Sequence, residues 1–525
     1  MHQALLIDEI IRNILQCCTD DDKSVLARAA QCCKAWRGPA LDELWNGLDS
    51  LDPLVQLLPD IETSQATIVQ ARGSTVEGKT SFEAYAQRIK HLACRRDINQ
   101  AKQASAPSSE FLLPNLRSVR ISTARLSSTV AQFALSSRLD SLELDTSFNA
   151  KTPSSEWLVQ YIERVSRVAP NLASFRLRGL ASPALNEKIC LLQNLRVLSL
   201  RTGKSLSAET LRAVCTLPAL EELEVHAGHI TPDDLDDAVS HDSNDQIPII
   251  SPSLCRLDIR ATVDTVERLI CKLPANTLSV LHIDLEDASM TPSILSTIFA
   301  AIAAKASNTL IDFSLEHHIE LEEPIPDSTP VTADSLVNPN TPTTAISRPS
   351  PSNQCTTSTS RSILHPLSTL SHLRRLSIQT SLSPSFTDED AAKFATWWPQ
   401  LAHLDLGLLP APIDPVHTVE SLPRGQLMTL AALRTFATRM TQLQTLVLPL
   451  DLAVSRPDLP PCPGSSSTSP LKHLTIGSAT APDIAPLSDF LAREFPGLEA
   501  VDGGDLYPAE WSSVQSSITL YKPLA

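Results

Sequence analysis

The sequence predicts an α/β solenoid with short parallel strands on its inner face and helices on its outer face, preceded by a small all-α bundle. Three observations predict it. A hexad of the form Leu-x-x-Leu-x-Leu, with aliphatic substitutes, recurs along most of the 525 residues. Stretches with helical spacing lie between its copies. The first 45 residues or so carry a different pattern, that of three short apolar helices.

The N-terminal stretch 4–36 reads ALLIDEIIRNILQCCTDDDKSVLARAAQCCKAW. Ile7, Ile10, Ile11, Ile14 and Leu15 follow one helical face, and Val25, Leu26, Ala29, Ala30, Cys33 and Trp36 follow a second. Asp20–Asp22 are placed to cap the second helix. Gly38-Pro39 is expected to break it, with Ala40, Leu41, Leu44 and Trp45 beginning a third. So short a bundle has a marginal core, and its surplus apolar surface calls for a partner. Next, SFEAYAQRIKHLACRRDIN at 80–98 shows helical spacing at Phe82, Tyr85, Ile89 and Leu92, and is expected to cap the first repeat.

The hexads read LRSVRI at 116, LDSLEL at 139, LASFRL at 172, LRVLSL at 195, LEELEV at 220, LCRLDI at 254, LSVLHI at 278 and LIDFSL at 310. Their starts are 23, 33, 23, 25, 34, 24 and 32 residues apart. Further copies follow at 373, 401, 443 and 471, with a degraded LEAVDG at 498. Alternation of the last apolar pair has the period of a strand. Between copies, Trp157, Leu158, Tyr161, Ile162, Val165 and Val168 share a helical face. Thr291-Pro292 opens another helix with a cap and a proline at its first position. Asp264 and Glu267 have the spacing of a capping box. Strand, loop and helix in alternation make a right-handed coil, and only neighbouring repeats bury one another's leucines.

The reading divides the chain into a helical domain at 1–50, a linker with a capping helix at 51–110, and an irregular solenoid at 111–525. Stretches near 231–250, 320–362 and 453–470 are rich in acidic or Pro, Ser and Thr residues. They are expected to be disordered insertions.

Composition excludes several functions. With 43 basic and 59 acidic residues the net charge is −16, and no basic stripe suits a phosphate backbone, so no nucleic-acid partner is expected. No apolar run reaches membrane-spanning length and no cleavable leader is visible, so the expected location is cytoplasmic or nuclear. Eleven cysteines at irregular spacing, with no CxxC, read as reduced and mostly packed thiols.

The hexads over about 111–505 resemble the leucine-rich-repeat family, without its regular Asn after each strand. The N-terminal stretch resembles an F-box. Leu6, Glu9, Ile10, Ile11, Ile14 and Leu15 stand in the first part of that family's pattern, and Leu26, Ala27, Ala30, Cys33, Lys34 and Trp36 in the second. Ile7 stands where the family has Pro. The continuation PALDELWNGLDSLDPLVQLLP is similar to the F-box-adjacent segment of many fungal F-box proteins. The resemblance implies a substrate receptor of a Skp–cullin–F-box ubiquitin ligase. The Skp adaptor would dock on Leu6, Ile7, Ile10, Ile14, Leu15, Leu26, Ala30, Cys33 and Trp36, and would link to cullin and RING subunits. The repeats would hold a protein substrate whose identity stays open.

In a hexad, the residues flanking the two inward positions face the inner side. Arg120, Arg176, Arg178 and Arg201 do so in early copies, followed by Glu222 and Glu224, then Arg256 and Arg260. Such arginines suit an acidic or phosphorylated segment; the competing reading is a solvated strand face with charge pairing between strands.

No HExxH, P-loop, GxSxG or GxGxxG occurs, and 14 glycines are too few for phosphate-cradling loops. Glu316, His317, His318 and Glu320 are the nearest approach to a metal cluster and read as a solvated loop start. Trp397-Trp398 reads as packing between repeats. No enzymatic chemistry, metal or cofactor is expected. The alternatives are a repeat scaffold whose N-terminus is only a cap, and a GTPase-activating repeat protein, which would not account for Leu6 through Trp36.

Overall fold

The computed structural model describes residues 7–18, 23–57, 82–94, 112–122, 128–148, 156–236, 250–287, 291–317, 363–380, 386–408, 427–453, 469–478, 480–504 and 506–521. The chain forms two compact units, Met1–Ile283 and Asp284–Ala525. Both are α/β coils of leucine-rich-repeat type. The first begins with an all-α bundle.

In that bundle α1 (Asp8–Gln16), α2 (Lys23–Cys32) and α3 (Lys34–Leu44) close on Ile11, Leu15, Leu26, Ala29 and Ala40. Trp36 and Leu44 are partly buried against them. The expected break at Gly38-Pro39 falls earlier: Cys33 is extended (φ −160°, ψ 167°), and α3 runs through Pro39. Proline gives up one helical N–H bond there, and the burial of Pro39 and Ala40 against the core offsets the loss. Asp20–Asp22 and Leu6 lie outside the described residues.

Eight strands of the first unit pair in chain order, all parallel: β1 (Gly47–Leu48), β2 (His91–Cys94), β3 (Ser118–Ser122), β4 (Ser141–Ser147), β5 (Ser174–Gly179), β6 (Val197–Arg201), β7 (Glu222–His226) and β8 (Arg256–Ala261). The register locks onto the hexads. Val119, Leu142, Phe175, Leu198, Leu223 and Leu257 form one row, and Ile121, Leu144, Leu177, Leu200, Val225 and Ile259 the next. Every one is buried. At about 1.5–3 kcal/mol per buried aliphatic side chain, stacking these rows is what holds the coil together.

The ladder starts ahead of the first hexad read from the sequence. Ile89, Leu92 and Cys94 are a disguised copy, all buried. The helix expected across 80–98 spans only 82–86, because His91–Cys94 alternates out and in as a strand. Elsewhere Glu156–Val168 buries Leu158, Tyr161, Ile162 and Val165, as its spacing predicts. The helix Val263–Lys272 takes Thr262 as N-cap, so no capping box forms at Asp264 and Glu267. In the expected acidic loop, Pro232–Asp236 is a short helix, and 237–249 lie outside the described residues. Side chains bridge neighbouring repeats near the strand ends: Thr146 Oγ1 donates to the Leu180 carbonyl (2.9 Å) and Asn186 Nδ2 to that of Ser205 (2.7 Å).

After β9 (Val280–Leu285), the second unit carries β10 (Asp312–His317), β11 (Arg375–Gln379), β12 (His403–Asp405), β13 (Thr445–Pro449), β14 (His473–Gly477) and β15 (Ala500–Asp502). These six also pair in order and in parallel. Thr291 caps the helix Pro292–Ala306, accepting from the Ile294 amide. Trp398 is fully buried and donates from Nε1 to the Leu367 carbonyl (3.0 Å). The degraded last hexad has Gly503 where a third apolar residue belongs. A Cβ there would fall 1.8 Å from Trp511, whose ring occupies the space. Trp511 belongs to the final helix Pro508–Tyr521, and Gln515 from the same helix bonds both the Val501 amide and the Glu499 carbonyl. That closes the exposed edge of β15. The segments 318–362 and 454–468 lie outside the described residues.

Candidate functional site

Two surfaces of the first unit stand out. Among the described residues no group of His, Cys, Asp and Glu is arranged to hold a metal ion. His317, read as a solvated loop start, is instead buried at the end of β10, with Nε2 2.7 Å from the Asp287 carbonyl. No described helix is long and apolar enough to cross a membrane. The nine described cysteines are free, but only Cys94 and Cys215 are buried, so fewer are packed than the sequence predicts. Burial pushes both of these thiols up to about 12.

The first surface lies on α1. Its apolar residues cover about 140° of arc at 3.6 residues per turn. Ile11 and Leu15, on one side of that arc, are in the bundle core. Ile7, Ile10 and Ile14, on the other, are 47%, 37% and 41% exposed, and Val25 of α2 is 45% exposed. These four are among only nine large apolar side chains that stand exposed in the described residues. Three of the four lie together on one side of α1. The sequence-derived set therefore divides. Ile7, Ile10 and Ile14 form the outer stripe, Leu15 and Leu26 are inside, and Ala30, Cys33 and Trp36 are half-buried.

This bundle is seated firmly on the ladder. Arg12 pairs with Asp42 (2.9 Å), joining α1 to α3, and Asp42 also pairs with Arg88. The Trp45 and Tyr85 rings lie 4.5 Å apart, and the Asn46 carbonyl accepts from the Lys90 and His91 amides (both 2.9 Å). Burial, then the Lys90 and Arg117 charges, hold the His91 imidazole below the ordinary histidine value.

The second surface is the inner face of the strands. Arg120, Glu143, Arg176, Ser199, Glu224 and Asp258 form one cross-strand row, and Ser122, Asp145, Arg178 and Arg201 the next. Arg120 pairs with Glu143 (2.7 Å), Arg178 with Asp145 (3.3 Å), and Arg201 with Glu224. Arg256 and His282 both bond Asp258 (2.9 and 2.6 Å). Burial alone would push the Asp258 carboxyl up, but these two bonds outweigh it and hold it below the usual range. Arg176 has no such partner among the described residues, and neither has Glu222, two strands away. Arg260 sits beside His226 in register.

Sequence reasoning missed Phe148 here. It follows a bulge between β4 and β5, where Ser147 has φ 63° and Gly179 φ 104°. A Cβ on Gly179 would lie 2.5 Å from the Ser147 amide nitrogen, so only glycine fits. The bulge leaves the Phe148 ring 50% exposed, with the Arg178 guanidinium 5.8 Å from its centroid.

No protein-family model matches the chain, and no curated protein matches it. Among solved structures it is similar to an internalin (inlF) from Listeria monocytogenes, at 12% identity over 87% of this chain and 98% of that one, with a TM-score of 0.34. It is also similar to a structure of the Rad7 and Elc1 complex in yeast, at 11% identity over 60% of this chain and 74% of that one, with a TM-score of 0.29. Scores at this level bring no function with them; the fold rests on the ladder itself.

Proposed function

We propose that this chain is the substrate-recognition subunit of a Skp–cullin–F-box ubiquitin ligase. In this reading the N-terminal bundle docks a Skp adaptor, which links to cullin and RING subunits, and the repeats hold a protein substrate. The chain breaks and forms no bond itself; it contributes proximity and orientation. The observation that carries the reading is the divided apolar face of α1, one side in the bundle core and one left outward. If the four outward side chains lose about 40% of their surface from water on docking, the apolar gain is roughly 3 kcal/mol. The contacts of Asp42 and Trp45 to 82–94 would fix the adaptor's direction relative to the repeats.

The same contacts favour a second reading, a repeat scaffold whose helical N-terminus serves only as a cap. Co-purification of the full chain with a Skp adaptor separates the two. Wild type should retain the adaptor, and Ile10→Asp/Ile14→Asp should lose it with its melting point within about 2 °C of wild type. A folded wild-type chain that retains none leaves the scaffold.

A further inference from the structure

The inner face of β4–β6 carries more cations than it neutralises, although the chain as a whole has a net charge of −16. Arg178 and Arg201 stand directly opposite one another in register, like charges on adjacent strands. Such a pair is unfavourable unless something between the strands is negative. Each is drawn outward instead, Arg178 to Asp145 and Arg201 to Glu224. Glu143, the remaining carboxylate of these strands, is taken by Arg120. Arg176, two residues before Arg178 on the same face of β5, is left exposed and unpaired among the described residues. Lys204, after β6, is likewise exposed and without an ion-pair partner among them.

Phe148 is the second, independent observation. It is the one aromatic among the exposed large apolar side chains of the described residues. From the end of β4 its ring reaches past Arg178 to the turn after β6, where a Cβ on Gly203 would lie 3.7 Å from it. A positive-φ serine and an obligatory glycine hold it there. Conformations of that kind persist where the surroundings over-determine them, and they gather at functional sites.

We propose that this corner binds a short acidic peptide segment, with carboxylates on Arg176 and Lys204 and an apolar side chain against Phe148. Charge complementarity selects the ligand. The existing ion pairs are exposed and worth little, so they can re-form around an incoming carboxylate. A guanidinium presents two parallel donors to a carboxylate, and the ring supplies an apolar surface that a purely electrostatic contact lacks. The inference rests on the repeats being a partner-binding face, but not on the adaptor.

The test uses the full chain, purified without adaptor and probed on an array of random peptides with matched phosphoserine versions. The expected result is enrichment of peptides with two or more Asp or Glu near a Leu, Ile or Phe. Arg176→Glu/Lys204→Glu should weaken their binding by at least about tenfold. Phe148→Ser should erase the apolar preference and keep the acidic one. Arg439→Glu, an exposed arginine in the other unit, should bind as wild type does. Absence of acidic enrichment, enrichment that Arg176→Glu/Lys204→Glu leaves unchanged, or binding confined to phosphoserine peptides would each overturn the proposal. With no adaptor present, those failures bear on this corner alone.

Discussion

Adjacent isoleucines of α1 should separate folding from docking. Ile11 is 1% exposed and sits in the bundle core, whereas Ile10 is 37% exposed. Ile11→Ala removes a packed side chain from a core of five buried residues, in a bundle too small to collapse around the cavity. The expected loss is about 2–4 kcal/mol. Ile10→Ala removes atoms that are partly wet already, and alanine's higher helix propensity returns some tenths of a kcal/mol, so about 1 kcal/mol or less is expected. The assay is hydrogen exchange of the α1 amides in the full chain, beside adaptor affinity measured on the same samples. Ile11→Ala should accelerate exchange roughly 30-fold or more, which is 2 kcal/mol of local opening. Ile10→Ala should change exchange by less than about tenfold yet weaken the adaptor. If both variants speed exchange equally, the inward–outward division of α1 is wrong. If neither affects the adaptor while exchange behaves as expected, the outward stripe is not the docking face.

Maleimide should modify the exposed Cys17, Cys32 and Cys271 first and spare Cys94 and Cys215 until the chain unfolds, as read by peptide mass spectrometry. Stability should fall with acidification: His91 and His403 both titrate below the ordinary value of 6.5, chiefly through burial, so the unfolded chain binds protons that the folded chain refuses. The loss begins as pH drops through about 6.5, Asp258 adds to it only below 3.8, and melting curves of His91→Gln/His403→Gln should be flatter over the histidine range. Gly179→Ala forces a Cβ against the Ser147 backbone and should lower the melting point while loosening Phe148, seen as faster exchange at 146–148.

Most of the ladder was legible because its rule is strict. Stacking parallel strands in register demands three inward apolar residues per turn of the coil, and Leu-x-x-Leu-x-Leu supplies them with little degeneracy. Legibility failed where a different residue met the same demand. Ile89 and Leu92 are apolar enough to serve, yet together with Phe82 and Tyr85 they also fit a helix, and periodicity alone favoured the longer element. Gly503 hid the last repeat's closure in the opposite way: the missing side chain is supplied by Trp511 from the next helix, and no local pattern announces such a substitution. Helix boundaries slipped at Pro39 for a related reason, since a buried proline beside Ala40 is held by the core and not by backbone preference.

The surfaces were legible only in part, because spacing says which side of an element a residue faces and nothing about what its neighbours neutralise. The helical spacing of α1 assigns Ile7, Ile10, Ile11, Ile14 and Leu15 to one broad face, and only three-dimensional packing divides that face into core and stripe. On the strands the pattern placed Arg120, Arg176, Arg178 and Arg201 on the inner side as equals. Their partners make them unequal: three are tied to carboxylates, and Arg176 is not. That difference arises from register across strands 23–33 residues apart in sequence. A net charge of −16 averages it away. For a repeat protein the local imbalance is the informative quantity, since a bound segment touches a few neighbouring strands and the Debye length of about 8–10 Å screens the rest of the chain.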